Sequence, residues 1–74
     1  MSKTHMQLKI ANTIHELRTE KKMSQDQLAQ EVGVTRATIN SIEKGNYNPS
    51  LELAFRIARF FKKDINKIFV VEDK

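Results

Sequence analysis

The sequence predicts a mainly α-helical fold: five short helices, with a small two-stranded antiparallel sheet made by the N- and C-terminal segments. Three observations predict it. Apolar residues recur at helical spacing from Thr13 to Phe69, capping residues such as Ser24, Thr35 and Asp64 stand just before those runs, and the flanking segments alternate or are β-branched. A chain of 74 residues can bury one core and cannot support two, so residues 1–74 are read as a single domain. Hydrophobic residues at 39%, with only two Gly and one Pro, exclude a disordered or collagen-like chain. The absence of cysteine excludes a disulfide framework and any Cys-ligated zinc or redox centre. No apolar run reaches the ~18 residues of a membrane span, and Met1-Ser2-Lys3-Thr4-His5 lacks the apolar stretch of a signal peptide. A cytoplasmic protein without membrane contact is therefore expected.

The elements follow in order. Met6-Gln7-Leu8-Lys9-Ile10 alternates apolar and polar residues, and Phe69-Val70-Val71-Glu72 is aromatic and β-branched, so 6–10 and 69–72 are read as the paired strands. The alternative is that Met6, Ile10 and Ile14, spaced by four, extend the first helix. Helix 1 covers about 13–22, capped by a Thr13-x-x-Glu16 box or by Asn12, with Ala11, Ile14 and Leu17 on one face. Ser24 starts helix 2 over 25–32, which buries Leu28, Ala29 and Val32 and stops at Gly33. Thr35 starts helix 3 over 36–44, ending before Gly45. The turn-forming run Gly45-Asn46-Tyr47-Asn48-Pro49 leads to Ser50 and helix 4 over 51–61, with Leu51, Ala54, Ile57, Ala58 and Phe61 facing the core. Asp64 caps helix 5 over 65–69, which turns Ile65, Ile68 and Phe69 inward.

Function is concentrated between Gln25 and Lys44. Two helices crossing steeply through a short turn need a small residue at their contact, a glycine in the turn and apolar anchors on the second helix; Ala29, Gly33, Val34, Ile39 and Ile42 meet those needs. This is the spacing of a helix-turn-helix. With Ile39 and Ile42 inward, the opposite side of helix 3 carries Arg36, Ala37, Asn40 and Ser41, flanked by Thr38 and Lys44. Such a face suits the major groove, where Arg pairs with guanine, Asn with adenine, and a methyl group meets thymine. Ser24 and Gln25 open helix 2, whose free N–H groups can hold a phosphate, and Lys22, Lys44, Asn46 and Tyr47 flank that region as further phosphate donors, with Thr38 of helix 3 as another. Thirteen Lys and Arg against nine Asp and Glu give a formal charge of +4, consistent with a polyanionic partner.

The strings Ser24-Gln25-x-x-Leu28-Ala29 and Ile42-Glu43-Lys44-Gly45, followed by Asn48-Pro49-Ser50 and Leu53-Ala54, carry a specific resemblance. From Met23 to Phe69 the chain resembles the Cro/repressor-type, Xre-like family of bacterial and phage transcriptional regulators. The resemblance implies a repressor-like bundle of five helices in which the residue at Gln25 holds a phosphate. It also implies that Thr35, Arg36, Ala37, Asn40 and Ser41 read bases and that Arg18 of helix 1 pairs with Glu43. Short stand-alone members with a strand at each end are dimeric repressors, which is the subgroup this chain is similar to. It departs from the family at Lys62-Lys63, where a glycine usually ends helix 4, and at the doublet Phe60-Phe61.

One helix 3 reads about half a site, so a homodimer on a palindromic duplex operator is expected. Its apolar face is placed at Ile65, Ile68, Phe69 and Val71, with Phe60 beside them. His5 and His15 have no partners at metal-ligand spacing and are read as inert; no nucleophile–base constellation and no Gly-rich phosphate loop is present, so neither catalysis, metal nor cofactor is expected. Taken without the motif, Arg36, Asn40 and Ser41 are an ordinary solvated helix face. Two other functions remain open: a module that docks a protein partner through Phe55, Phe60 and Val70, and a DNA-binding antitoxin.

Overall fold

The computed structural model describes residues 8–72: β1 Lys9–Asn12, α1 Ile14–Glu20, α2 Gln25–Val32, α3 Arg36–Glu43, α4 Leu51–Phe61, α5 Ile65–Ile68 and β2 Phe69–Glu72. Ser24, Thr35 and Ser50 start α2, α3 and α4 in one way. Each holds an extended backbone, and its hydroxyl oxygen accepts the N–H of the residue three further on, Gln27, Thr38 and Leu53. At Ser24 the box is reciprocal, since its own N–H donates to Gln27 Oε1 at 2.8 Å.

The first four helices also end alike. Lys22, Gly33, Gly45 and Lys62 take left-handed backbone, with φ of 58°, 79°, 80° and 58°. The next N–H then turns back to a carbonyl of the last helical turn: Met23 to Arg18, Val34 to Ala29, Asn46 to Ser41 and Lys63 to Ala58. The Lys62-Lys63 departure therefore changes the residue without changing the geometry.

Ile14, Leu28, Ile39, Ile42, Ile57 and Ile68 are fully buried and draw all five helices onto one core. Each such side chain contributes roughly 1.5–3 kcal/mol relative to exposure. The inward residues of α2 and α3 are those the sequence predicts. On α4 the core side is Leu53, Ala54, Ile57, Ala58 and Phe61, while Leu51 is 70% exposed. Helical geometry explains the correction: at about 100° per residue, Leu53 lies about 40° from Ile57 and Leu51 about 120° away.

The sheet is antiparallel, pairing Lys9 with Glu72, Ile10 with Val71, Ala11 with Val70 and Asn12 with Phe69. The first strand thus sits later than the expected 6–10; Met6 and Gln7 lie outside the described residues. Ile10 and Ala11 belong to the strand and not to helix 1, because Asn12 ends the strand and begins the helix: its Oδ1 accepts the Ile14 N–H at 3.1 Å. Thr13 makes no side-chain cap, its hydroxyl donating instead to the Lys67 carbonyl at 3.3 Å. Asp64 occupies the cap position of α5 without a side-chain bond. Helices 1, 3 and 5 each stop short of their expected ends, at Glu20, Glu43 and Ile68.

Candidate nucleic-acid interface

Burial of Ile39 and Ile42 fixes the rotation of α3, and with it what the helix shows to solvent. Arg36 and Ala37 are exposed at its start, with Thr35 before them, and Thr38, Asn40 and Ser41 are half-buried. Ala37, Thr38 and Ser41 line a shallow hollow of about 240 Å³ together with Tyr47 from the following loop. Tyr47, expected only as a phosphate contact, thus stands beside the base-reading candidates. Thr35 and Thr38 share a hydroxyl hydrogen bond of 3.0 Å at the helix start.

A wider cleft of about 570 Å³ runs between the start of β1 and the loop after α3. It gathers the phosphate candidates Lys44, Asn46 and Tyr47, and adds Lys9 and Asn48. Lys9 was not expected there; its side chain is 81% exposed, and its 3.9 Å pairing with Glu72 is a weak surface contact. Its place opposite Lys44 depends on strand register, which the alternating pattern alone does not carry. Lys22 and Ser24 are exposed at the α1–α2 turn. Ser24 uses an oxygen lone pair in the cap and keeps its hydroxyl hydrogen to donate.

Between these two regions lies a polar network joining three helices. Arg18 of α1 forks onto Glu43 of α3, Nε donating to Oε2 at 2.8 Å and Nη2 to Oε1 at 3.1 Å. Arg18 Nη1 also donates to the Met23 carbonyl at 2.8 Å, and Nη2 to His15 Nδ1 at 2.9 Å. The pair is shielded, with 12% of the Arg18 and 7% of the Glu43 side chain exposed. His15 is therefore a member of the network instead of a bystander; His5 lies outside the described residues. Burial pushes the Glu43 carboxyl up, but the hydrogen bonds from Arg18 and Gln25 and the Arg18 charge outweigh it, leaving Glu43 below its ordinary value. The hydrogen bond to Glu43 raises Arg18 in turn.

Gln25 completes the network. Its Nε2 donates to Asn40 Oδ1 and to Glu43 Oε1, both at 3.1 Å. Both amide hydrogens are engaged, so the residue expected to hold a phosphate uses its side chain to tie α2 to α3 in the free chain. Asn12, which the sequence marks only as a cap, also donates from Nδ2 to the Ile42 carbonyl at 2.9 Å, fastening β1 to the end of α3.

The interface expected for a second copy is redrawn by burial. Ile68 is fully buried in the core and unavailable. Phe60 packs half-buried against that core, edge-on to Phe61, with the Lys21 ammonium 5.9 Å above its ring. Ile65 and Phe69 are half-buried, whereas Phe55, Val70 and Val71 are 50%, 47% and 45% exposed. Ile65 lines two neighbouring hollows, one shared with Phe55 and one with Ile10 and Phe69.

Residues 14–68, from the first helix to the last, match the helix-turn-helix family. The chain belongs to that family. Two uncharacterized HTH-type transcriptional regulators from archaea are similar to it. The one from Methanocaldococcus jannaschii is 55% identical over 51 residues, covering 69% of this chain and 77% of its own. The one from Archaeoglobus fulgidus is 49% identical over 61 residues, covering 82% and 87%. Among solved structures, the restriction-modification controller protein C.AhdI from Aeromonas hydrophila superposes with a TM-score of 0.67 at 31% identity, covering 73% of this chain and 78% of its own. This helix-turn-helix protein is a DNA-binding transcriptional regulator of the Xre-like type. The archaeal relatives widen the bacterial and phage setting that the resemblance implies.

Proposed function

We propose that this regulator binds a palindromic operator as a homodimer and represses transcription by occupying it. The observation that carries the reading is α3: its apolar side is buried to the last atom at Ile39, and its outer side offers Arg36, Ala37, Asn40 and Ser41 with no large apolar group. A helix of this kind fits the major groove, and two related by a two-fold axis reach successive grooves roughly 34 Å apart. Arg36 has the planar fork that matches guanine O6 and N7, with Thr35 beside it. Ala37, which lines the shallow hollow shared with Tyr47, offers a small methyl side chain that can meet a thymine methyl group. Lys22, Ser24, Gln25, Thr38, Lys44, Asn46 and Tyr47 fasten the backbone, Gln25 through its N–H at the start of α2. The second copy docks over the apolar band from Phe55 across Ile65 to Phe69 and Val71. A cytoplasmic setting follows from its DNA partner.

A salt titration of two variants on a selected operator and on scrambled duplex tests this division. Lys44→Ala should weaken both complexes alike and lower the salt slope by about one unit. Arg36→Ala should lose about 1–3 kcal/mol on the operator and much less on scrambled DNA. Equal losses on both duplexes for Arg36→Ala would make it a phosphate contact.

A further inference from the structure

We propose that Gln25 is a positioning residue that fixes the direction of the Asn40 amide, so that Asn40 offers N–H donors to the groove and selects a base that presents an acceptor. The proposal rests on α3 entering the major groove, and it reverses part of what Asn40 alone suggests. An isolated Asn is free to pair both ways with adenine.

Hydrogen-bond polarity is passed along a chain that starts at an ion pair. Arg18 can only donate, and with both carboxylate oxygens of Glu43 bound by Arg18, Glu43 is ionised and can only accept. The Gln25 atom lying 3.1 Å from Glu43 Oε1 must therefore be its NH₂ group. That same nitrogen lies 3.1 Å from the Asn40 amide and has no lone pair to offer, so the Asn40 atom facing it must be the oxygen. Asn40 Nδ2 then faces the other way. Turning Asn40 over would set two NH₂ groups against each other in a half-buried place, losing one bond and leaving a donor unsatisfied. The salt bridge of α1 and α3, remote from bases, thereby determines the hydrogen-bonding sense of a side chain on the groove face.

Among base edges in the major groove, guanine, adenine and thymine all offer an acceptor, whereas cytosine offers only its N4 donor. A preset Asn40 should therefore discriminate against cytosine at the base it meets. Selection from randomised duplexes at low salt, with folding of each variant checked by circular dichroism, tests this. Asn40→Ala should remove the preference at one base-pair position and so locate it. Wild type should exclude cytosine there by about tenfold, and Gln25→Ala should reduce that to about twofold or less by freeing the amide to turn. A Gln25→Ala protein whose preference is unchanged would show that Gln25 does not set the direction of the Asn40 amide and overturn the proposal. So would an Asn40→Ala protein that relaxes no position. A wild type with no preference anywhere overturns the groove reading itself, a distinguishable outcome. Should Gln25→Ala lose all binding, amide exchange in the free protein decides: the Gln25 side-chain NH₂ should be protected relative to that of Asn40, and equal rates count against the proposal.

Discussion

Glu43 carries a charge that burial opposes, and Arg18 holds it in that state. Because its folded carboxyl titrates below its ordinary value, the unfolded chain binds the proton first as pH falls. The stability that Glu43 contributes is thus fully present above the ordinary carboxyl value and drains away as pH drops through the lower folded value. Arg18→Ala leaves burial as the largest influence on Glu43. It should cost on the order of 2 kcal/mol at neutral pH, and the Glu43 titration should move above its ordinary position, reversing the sign of its pH dependence. Urea midpoints and a carboxyl titration followed by NMR check both; an unmoved midpoint would leave the pair without structural weight. The partnership of Arg18 and Glu43 came from family resemblance, since charges 25 residues apart do not announce themselves. His15, Gln25 and Asn40 joined them unannounced because their roles depend on how α1 and α2 rest on α3.

Helix starts were legible and helix ends only partly so. A Ser or Thr before an apolar run has one physical use, and Ser24, Thr35 and Ser50 all perform it. Thr13 and Asp64 show the limit of that rule: the Lys67 carbonyl takes the Thr13 hydroxyl, and Asp64 holds the cap position without a side-chain bond. At the ends, Gly33 and Gly45 mark themselves, while Lys22 and Lys62 adopt the same left-handed backbone without the residue that favours it. A side chain in that region costs roughly 1–2 kcal/mol, against which glycine loses roughly 0.5–1 kcal/mol more entropy on folding. Lys62→Gly should therefore stabilise the protein by up to about 1 kcal/mol, seen as a higher urea midpoint with an unchanged slope. A lower midpoint would mean that the lysine side chain compensates locally. The misplacement of Leu51 arose in the same helix, from counting apolar residues without measuring their angle to Ile57.

For the molecule as a whole, the proposed dimer has a direct test in the exposed apolar band. Sedimentation at micromolar concentration should show a dimer, and Phe55→Lys should yield folded monomers, since half of that side chain is already in water. A monomer at every concentration would remove the two-fold operator from the proposal. Which apolar residues were left for a partner could not be read from the sequence, because Ile68 and Val71 look alike until the core claims one of them.

The sheet adds a matter of timing. Helices α2 to α4 pack on neighbours in sequence, but β1 and β2 bring together Lys9–Asn12 and Phe69–Glu72, almost the full length of the chain apart and beyond the α1–α5 contact at Thr13 and Ile68. Closing so long a loop is entropically the steepest step, and little apolar surface is buried by strands in which Val70 and Val71 stay half in water. The strands should therefore zip last and open first, with amides of Ile10 and Val71 exchanging with solvent well ahead of those of Ile39 and Ile57. Since Asn12 joins that zipper to the last turn of α3 through the Ile42 carbonyl, each opening should release that one bond while Arg18 and Gln25 keep their hold on Glu43 in the same turn.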